Sequence, residues 1–148
     1  IANRRAGRTV AVAESCTGGL VSAALTEIAG SSDVFEAGFI TYSNDMKAEL
    51  LKVSHDVLDT FGAVSIATAW AMAQGALKKS HAHVAVAITG IAGPGGGTAD
   101  KPVGLVHLCV VGPDGRVSRA PVIPGNRYDV RQRSVTLALQ LVRELLSR

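Results

Sequence analysis

Short apolar runs, each closed by a polar or glycine-rich turn, alternate along this chain with stretches whose apolar residues fall at helical spacing. Thr9 to Ala13 has the Val and Ala content of a buried strand and leads through Glu14-Ser15-Cys16-Thr17-Gly18-Gly19 into a helix predicted over Leu20 to Ile28. Gly30 and Ser31-Ser32-Asp33 end that helix: glycine suits the position after a helix C-terminus, and Ser and Asp compete for backbone hydrogen bonds. Phe35 to Tyr42 reads as a second strand, and Ser43 or Asn44 can cap a helix carrying Met46, Leu50 and Leu51. A short helix over His55 to Phe61, broken by Gly62, precedes an Ala-rich helix capped by Ser65 and running through Lys78.

Val84 to Ile88 is a third apolar strand, and it runs into Thr89-Gly90-Ile91-Ala92-Gly93-Pro94-Gly95-Gly96-Gly97, which is too rich in glycine for regular structure. Val103 to Val111 and Val117 to Ile123 flank the turn signal Gly112-Pro113-Asp114-Gly115 and predict an antiparallel hairpin. Asp129 to Leu146 then repeats apolar residues at Val130, Val135, Leu137, Leu141, Val142 and Leu145, as a closing helix would. This order predicts one α/β domain over residues 1–148, a three-layer α/β/α sandwich on a mixed, partly parallel sheet.

Composition narrows the class. A chain of 148 residues can bury one core without metal or disulfide staples, and Cys16 and Cys109 show no paired spacing. No apolar run approaches the roughly 20 residues of a membrane span and no signal segment opens the chain, so a cytoplasmic protein without membrane partners is expected. The first residue is Ile1 rather than Met, as in a chain that has lost a leader or is one piece of a longer protein. A net charge of +3 comes with interspersed acids and few aromatics, which argues against nucleic acid and fits a small anionic ligand. The Ala-rich helix surface is consistent with a homo-oligomer, a dimer being the favoured form.

Four segments carry candidate chemistry. Ser15 lies between a strand and a helix N-terminus, where unpaired N–H groups and the helix dipole can hold an anion or oxyanion, although Ser15 or Thr17 could equally be a simple cap. The adjacent Gly18 and Gly19 suggest close backbone approach by a ligand. The segment is not a nucleophile elbow, because Ala13 and Thr17 stand where glycines belong, nor Ser-x-x-Lys, because Gly18 stands where Lys should be. The four histidines lie at helix ends, in loops or mid-strand, which disfavours a Ser-His-Asp triad. Lys47, near Tyr42, could act as base if buried, while a solvated helix-face lysine is the commoner fate. Thr89 to Gly97 could cup an anion or form a surface lid, and Arg127 and Arg131, four residues apart, could clamp a phosphate or stay solvated.

Taken together, Ala13-Glu14-Ser15-Cys16-Thr17-Gly18-Gly19, Thr41-Tyr42-Ser43-Asn44 with Lys47, Gly62-Ala63-Val64-Ser65, Thr89-Gly90-Ile91-Ala92-Gly93-Pro94 with Lys101-Pro102-Val103-Gly104, and Pro124-Gly125-Asn126-Arg127 closely resemble the CinA C-terminal family over nearly the whole chain. The resemblance implies a nicotinamide-nucleotide amidase, which hydrolyses nicotinamide mononucleotide to nicotinate mononucleotide and ammonia with no metal and no cofactor. It implies Ser15 as nucleophile, Lys47 as general base and Tyr42 as the assisting tyrosine. It further implies Thr89 and Gly90 in the substrate loop and Arg131 as the substrate-contacting arginine with Arg127 second, and the chemistry of the turn agrees, since N–H groups around Cys16, Thr17, Gly18 and Gly19 would hold the oxyanion.

Two rivals stand beside this reading. Cys16 could be the nucleophile in place of Ser15, at the same helix N-terminus. Alternatively the domain is a non-catalytic nucleotide-binding or regulatory module of a longer protein, which would bind without turnover.

Overall fold

The computed structural model describes residues 6–147. Its elements are β1 (Val10–Glu14), α1 (Leu20–Thr26), a 3-10 turn (Ser31–Asp33), β2 (Phe35–Ile40), α2 (Asn44–Leu51), α3 (His55–Phe61), α4 (Ile66–Lys79), β3 (Val84–Gly90), β4 (Val106–Gly112), β5 (Gly115–Arg119) and α5 (Arg127–Leu146). The sheet has five strands in the order β2-β1-β3-β4-β5. β1 pairs parallel to both β2 and β3, whereas β4 and β5 are antiparallel, so the sheet is mixed as the element order predicts.

Side-chain alternation explains the two cores. Along β1 and β3, Val10, Val12, Val84, Val86 and Ile88 face one side and pack with Val21 of α1 and Val130, Ala138, Leu141, Val142 and Leu145 of α5. The intervening Ala11, Ala13, Ala85 and Ala87 face the other side and meet Leu51 of α2, Leu58 of α3 and Ala69, Met72, Ala73 and Ala76 of α4. Strands covered on both faces must be apolar throughout, which is why β1 and β3 read as continuous hydrophobic runs. Alanines on one face let the Ala-rich α4 lie close to the sheet. The same closeness recurs between helices: a Cβ on Gly75 of α4 would sit 2.0 Å from the Leu51 carbonyl oxygen of α2. Gly75→Ala is therefore expected to cost about 3 kcal/mol of stability, read as a lowered urea midpoint with unchanged slope.

Several element boundaries differ from expectation. α1 stops at Thr26, not Ile28, and its end is tightened by the Thr26 hydroxyl donating to the carbonyls of Ser22 and Ala23. Val103 and Gly104 form a turn closed by the Leu105 N–H on the Pro102 carbonyl, Leu105 makes an isolated bridge to Val122, and β4 begins only at Val106. β5 ends at Arg119 rather than Ile123, because Pro121 has no N–H to continue the ladder and offers only its carbonyl, to Val106. α5 starts two residues before the expected Asp129, at Arg127, where Asn126 and Asp129 form a capping box.

The connections place the site. Leaving β1, the chain crosses over the α1 face to β2, then returns over the α2–α4 face to β3 on the other side of β1. Such a switch point opens a crevice at the carboxyl ends of the parallel strands, and open α/β sheets bind ligands there.

Candidate active site

Ser15 follows the last residue of β1, and its N–H donates to the Ile88 carbonyl of β3 at 3.0 Å. Strand alternation turns its side chain toward the α2–α4 face. α2, capped by Ser43 whose hydroxyl accepts from Met46 N–H, carries Lys47 inward until it is 1 % exposed. There Lys47 Nζ lies 3.0 Å from Ser15 Oγ and 2.8 Å from the Tyr42 carbonyl oxygen. Among the described residues, no carboxylate lies within ion-pair distance of Lys47. Burial pulls its ammonium from the ordinary 10.5 down to about 8, against a smaller opposing pull from the Cys16 thiol. A neutral amine that gives one N–H to the Tyr42 carbonyl can turn its lone pair on the Ser15 hydroxyl.

The turn after Ser15 differs from expectation in its physical logic. Gly18 and Gly19 have φ of 57° and 109°, so glycine is required by the backbone, and a Cβ at either would approach Arg131 or Ile40 rather than an open ligand space. The N-terminus of α1 holds no vacant anion site. Its Val21 and Ser22 N–H groups donate to the Glu14 carboxylate at 2.9 and 3.0 Å, and the Thr17 and Ser22 hydroxyls donate to it at 2.6 and 2.7 Å. Thr17, fully buried, is thus turned away from any ligand, and Gly18 N–H is taken by the Ser15 carbonyl. The Thr17 hydroxyl and the Gly18 N–H, expected at the substrate, make their bonds within the protein, to Glu14 and Ser15. Sequence reasoning did not single out Glu14, since the partners of its carboxylate lie up to eight residues away and match no capping motif.

Ser15, Cys16, Tyr42, Lys47, Thr89, Gly90 and Arg127 converge on one cavity of about 280 Å3, walled by Ala63, Val64 and the glycine-rich loop. Tyr42 offers Lys47 its carbonyl, not its phenol, which instead accepts from Arg127 at 3.2 Å. Thr89 donates its hydroxyl to the Ala63 carbonyl at 2.7 Å and so braces the wall. Arg127 also donates to the Gly93 carbonyl at 2.7 Å, which ties the loop to α5, while the Lys101 ammonium bonds the Phe61 carbonyl at the C-terminus of α3. These two bonds tie the loop to α3 and α5.

The two arginines do not form one clamp. Arg131 Nε and Nη2 donate to the carbonyls of Cys16 and Thr17 at 3.1 and 3.3 Å, so it grips the turn from behind. Of the two arginines, Arg127 lines both this cavity and a neighbouring one of about 550 Å3, which Asn126, Tyr128 and Arg131 also border. Arg127, expected as the second substrate arginine, reaches the cavity that holds Ser15 and Lys47, and Arg131, expected as the first, borders the neighbouring one. Cys16 is 5 % exposed, and burial pushes its thiol up to about 11, so its thiolate is scarce at neutral pH. Among the described residues, no three of His, Cys, Asp and Glu gather where they could hold a metal ion. No helix among them is long and apolar enough to cross a membrane.

Known proteins share this fold. The CinA C-terminal domain family matches residues 2–146. A CinA-like protein of Mycobacterium avium is 53% identical over 99% of this chain, and one of Mycobacterium tuberculosis is 49% identical over 99% of it. This chain spans only about a third of the length of those relatives, 35% and 34%. Among solved structures, a competence/damage inducible protein of Agrobacterium tumefaciens superposes with a TM-score of 0.92 at 49% identity, covering 97% of this chain and 92% of that one. The competence damage-inducible protein A of Klebsiella pneumoniae superposes with a TM-score of 0.95 at 31% identity, covering 99% and 91%. A match over almost every residue, joined to agreement of the whole fold, means that this chain belongs to the CinA C-terminal domain family.

Proposed function

We propose that the domain is an amidohydrolase that converts nicotinamide mononucleotide to nicotinate mononucleotide and ammonia, with Ser15 as nucleophile and Lys47 as general base. The observation that carries this reading is the buried Lys47 Nζ held 3.0 Å from Ser15 Oγ with its pKa drawn down to about 8. About a tenth of such a lysine is neutral at pH 7, against roughly one in three thousand of an ordinary one.

Lys47 takes the Ser15 proton as Oγ attacks the carboxamide carbon, forming a tetrahedral oxyanion. The N–H of Cys16, the residue of this turn that lines the cavity next to Ser15, is the donor to that oxygen. The Lys47 ammonium returns the proton to the leaving nitrogen, the C–N bond breaks, and ammonia departs from an acyl enzyme. Water, deprotonated by the now neutral Lys47, attacks the acyl carbon; collapse restores Ser15 and frees the carboxylate. Arg127, at the junction of the two cavities, is the group for the substrate phosphate.

The test is ammonia release from nicotinamide mononucleotide by the purified domain, beside Ser15→Ala. Release by the native protein alone supports the reading. Calorimetric binding of the nucleotide without release would replace it by the binding-module alternative. Arg127→Ala is expected to raise KM for the mononucleotide about tenfold or more while leaving KM for the corresponding nucleoside nearly unchanged. An equal change for both would remove Arg127 from phosphate recognition.

A further inference from the structure

We infer that Glu14 is a positioning residue that sets the reactivity of Ser15 from behind, an assignment that rests on the serine-lysine reading of the site. Glu14 is the last residue of β1 and is fully buried. It does not border the cavity, and alternation along β1 turns it to the α1 face while Ser15 turns to the opposite one. It therefore has no path to substrate and cannot serve as an acid or base.

Its carboxylate is instead saturated by the segment that follows the nucleophile. Oε1 accepts from the Thr17 hydroxyl at 2.6 Å and the Val21 N–H at 2.9 Å, and Oε2 accepts from the Ser22 N–H at 3.0 Å and the Ser22 hydroxyl at 2.7 Å. α1 has no capping side chain of its own, because glycine occupies its N-cap. A residue one position before the nucleophile thus supplies the cap for the helix that follows it. Five residues, Ser15 to Gly19, span the gap between strand and helix, two of them glycines in left-handed conformation. Such a turn needs an external restraint to stay in one geometry, since glycine has little conformational preference of its own. Glu14 restrains its side chains and the following helix, and Arg131 restrains the Cys16 and Thr17 carbonyls. Between them, Ser15 Oγ is kept at hydrogen-bond distance from Lys47 Nζ. Displacements near 1 Å at a reacting atom can cost on the order of a hundredfold in rate.

The experiment uses Glu14→Gln, which keeps the shape but places an NH2 group against donors, and Ser22→Ala, which removes one donor and leaves the carboxylate in place. Both are assayed for ammonia release well below their thermal midpoints, and in parallel for the rate at which a fluorophosphonate probe labels Ser15, followed by intact mass. Glu14→Gln is expected to lower kcat at least about tenfold with KM within about twofold, and to slow labelling by a similar factor. Ser22→Ala is expected to lower both about threefold, and it serves as the deciding variant if Glu14→Gln does not fold. Unchanged kcat and labelling in folded variants would overturn the assignment while leaving the amidase reading intact. If the native protein is labelled but releases no ammonia, the amidase reading fails and the labelling rates alone decide for or against Glu14. A native protein that is neither labelled nor active overturns both.

Discussion

With Ser15 replaced by alanine, ammonia release from nicotinamide mononucleotide is expected to fall by at least about 10^4-fold, to the limit of the assay. A covalent nucleophile has no substitute within reach, and loss of a nucleophile or its base in comparable hydrolases costs about a millionfold. The neighbouring thiol will not take over. Cys16 is buried and its thiol is pushed up to about 11, so at pH 7 its thiolate is scarcer than that of a free cysteine by about a hundredfold. Cys16→Ala should accordingly retain turnover within about threefold of the native protein. The opposite pattern, an active Ser15→Ala and a dead Cys16→Ala, would transfer the nucleophile to sulfur.

Lys47→Met is expected to lower turnover at least about a thousandfold, and Ser15→Ala added to it should cause little further loss, since the two residues act as one unit. In the native protein, kcat/KM should rise with pH through about 8 and level off above it, as the base loses its proton. Stability should carry the mirror image of this. Above pH 10.5 Lys47 is neutral both folded and unfolded. As pH falls from 10.5 toward 8, only the unfolded chain takes up the proton, so the fold loses stability; below 8 the loss is complete and constant. About 2 kcal/mol is the expected loss at pH 7, part of the full shift, because Nζ keeps its bonds to Ser15 and the Tyr42 carbonyl when it is protonated. Urea midpoints at pH 10.5 and 7 measure it: the native protein should fall relative to Lys47→Met by that amount. Parallel curves would mean that Lys47 titrates as an ordinary lysine and could not be the base at neutral pH.

The strength of these two expectations comes from contacts that differ in how far they could be foreseen. The strands β1 and β3, the Ala-rich α4 and the amphipathic α5 follow from local periodicity, because burial on two faces demands unbroken apolar runs and burial on one face demands a stripe. The Gly112-to-Gly115 hairpin follows from turn chemistry, and the motifs around Ser15, Lys47 and Thr89 single out those positions through family resemblance. Strand ends were less legible where a proline or a helix cap intervened, as at Pro121 and Asn126.

What composition and spacing left open was the state of each polar group. From the sequence, Lys47 could be a solvated helix-face lysine; only the packing of α2 against the ends of the parallel strands strips water from it and sets it beside Ser15. Arg127 and Arg131 are equivalent in sequence, four positions apart on one helix. The tertiary structure sends one to the cavity and the other to the back of the nucleophile turn. Glu14 shows the limit most clearly. Its residue type and place in the motif are plain, yet its role arises because the turn folds back and brings Val21 and Ser22 onto its carboxylate. Local periodicity determines which elements form, because it depends on neighbours along the chain. Burial, proton affinity and the pairing of polar groups depend on neighbours in space, and those the fold alone decides.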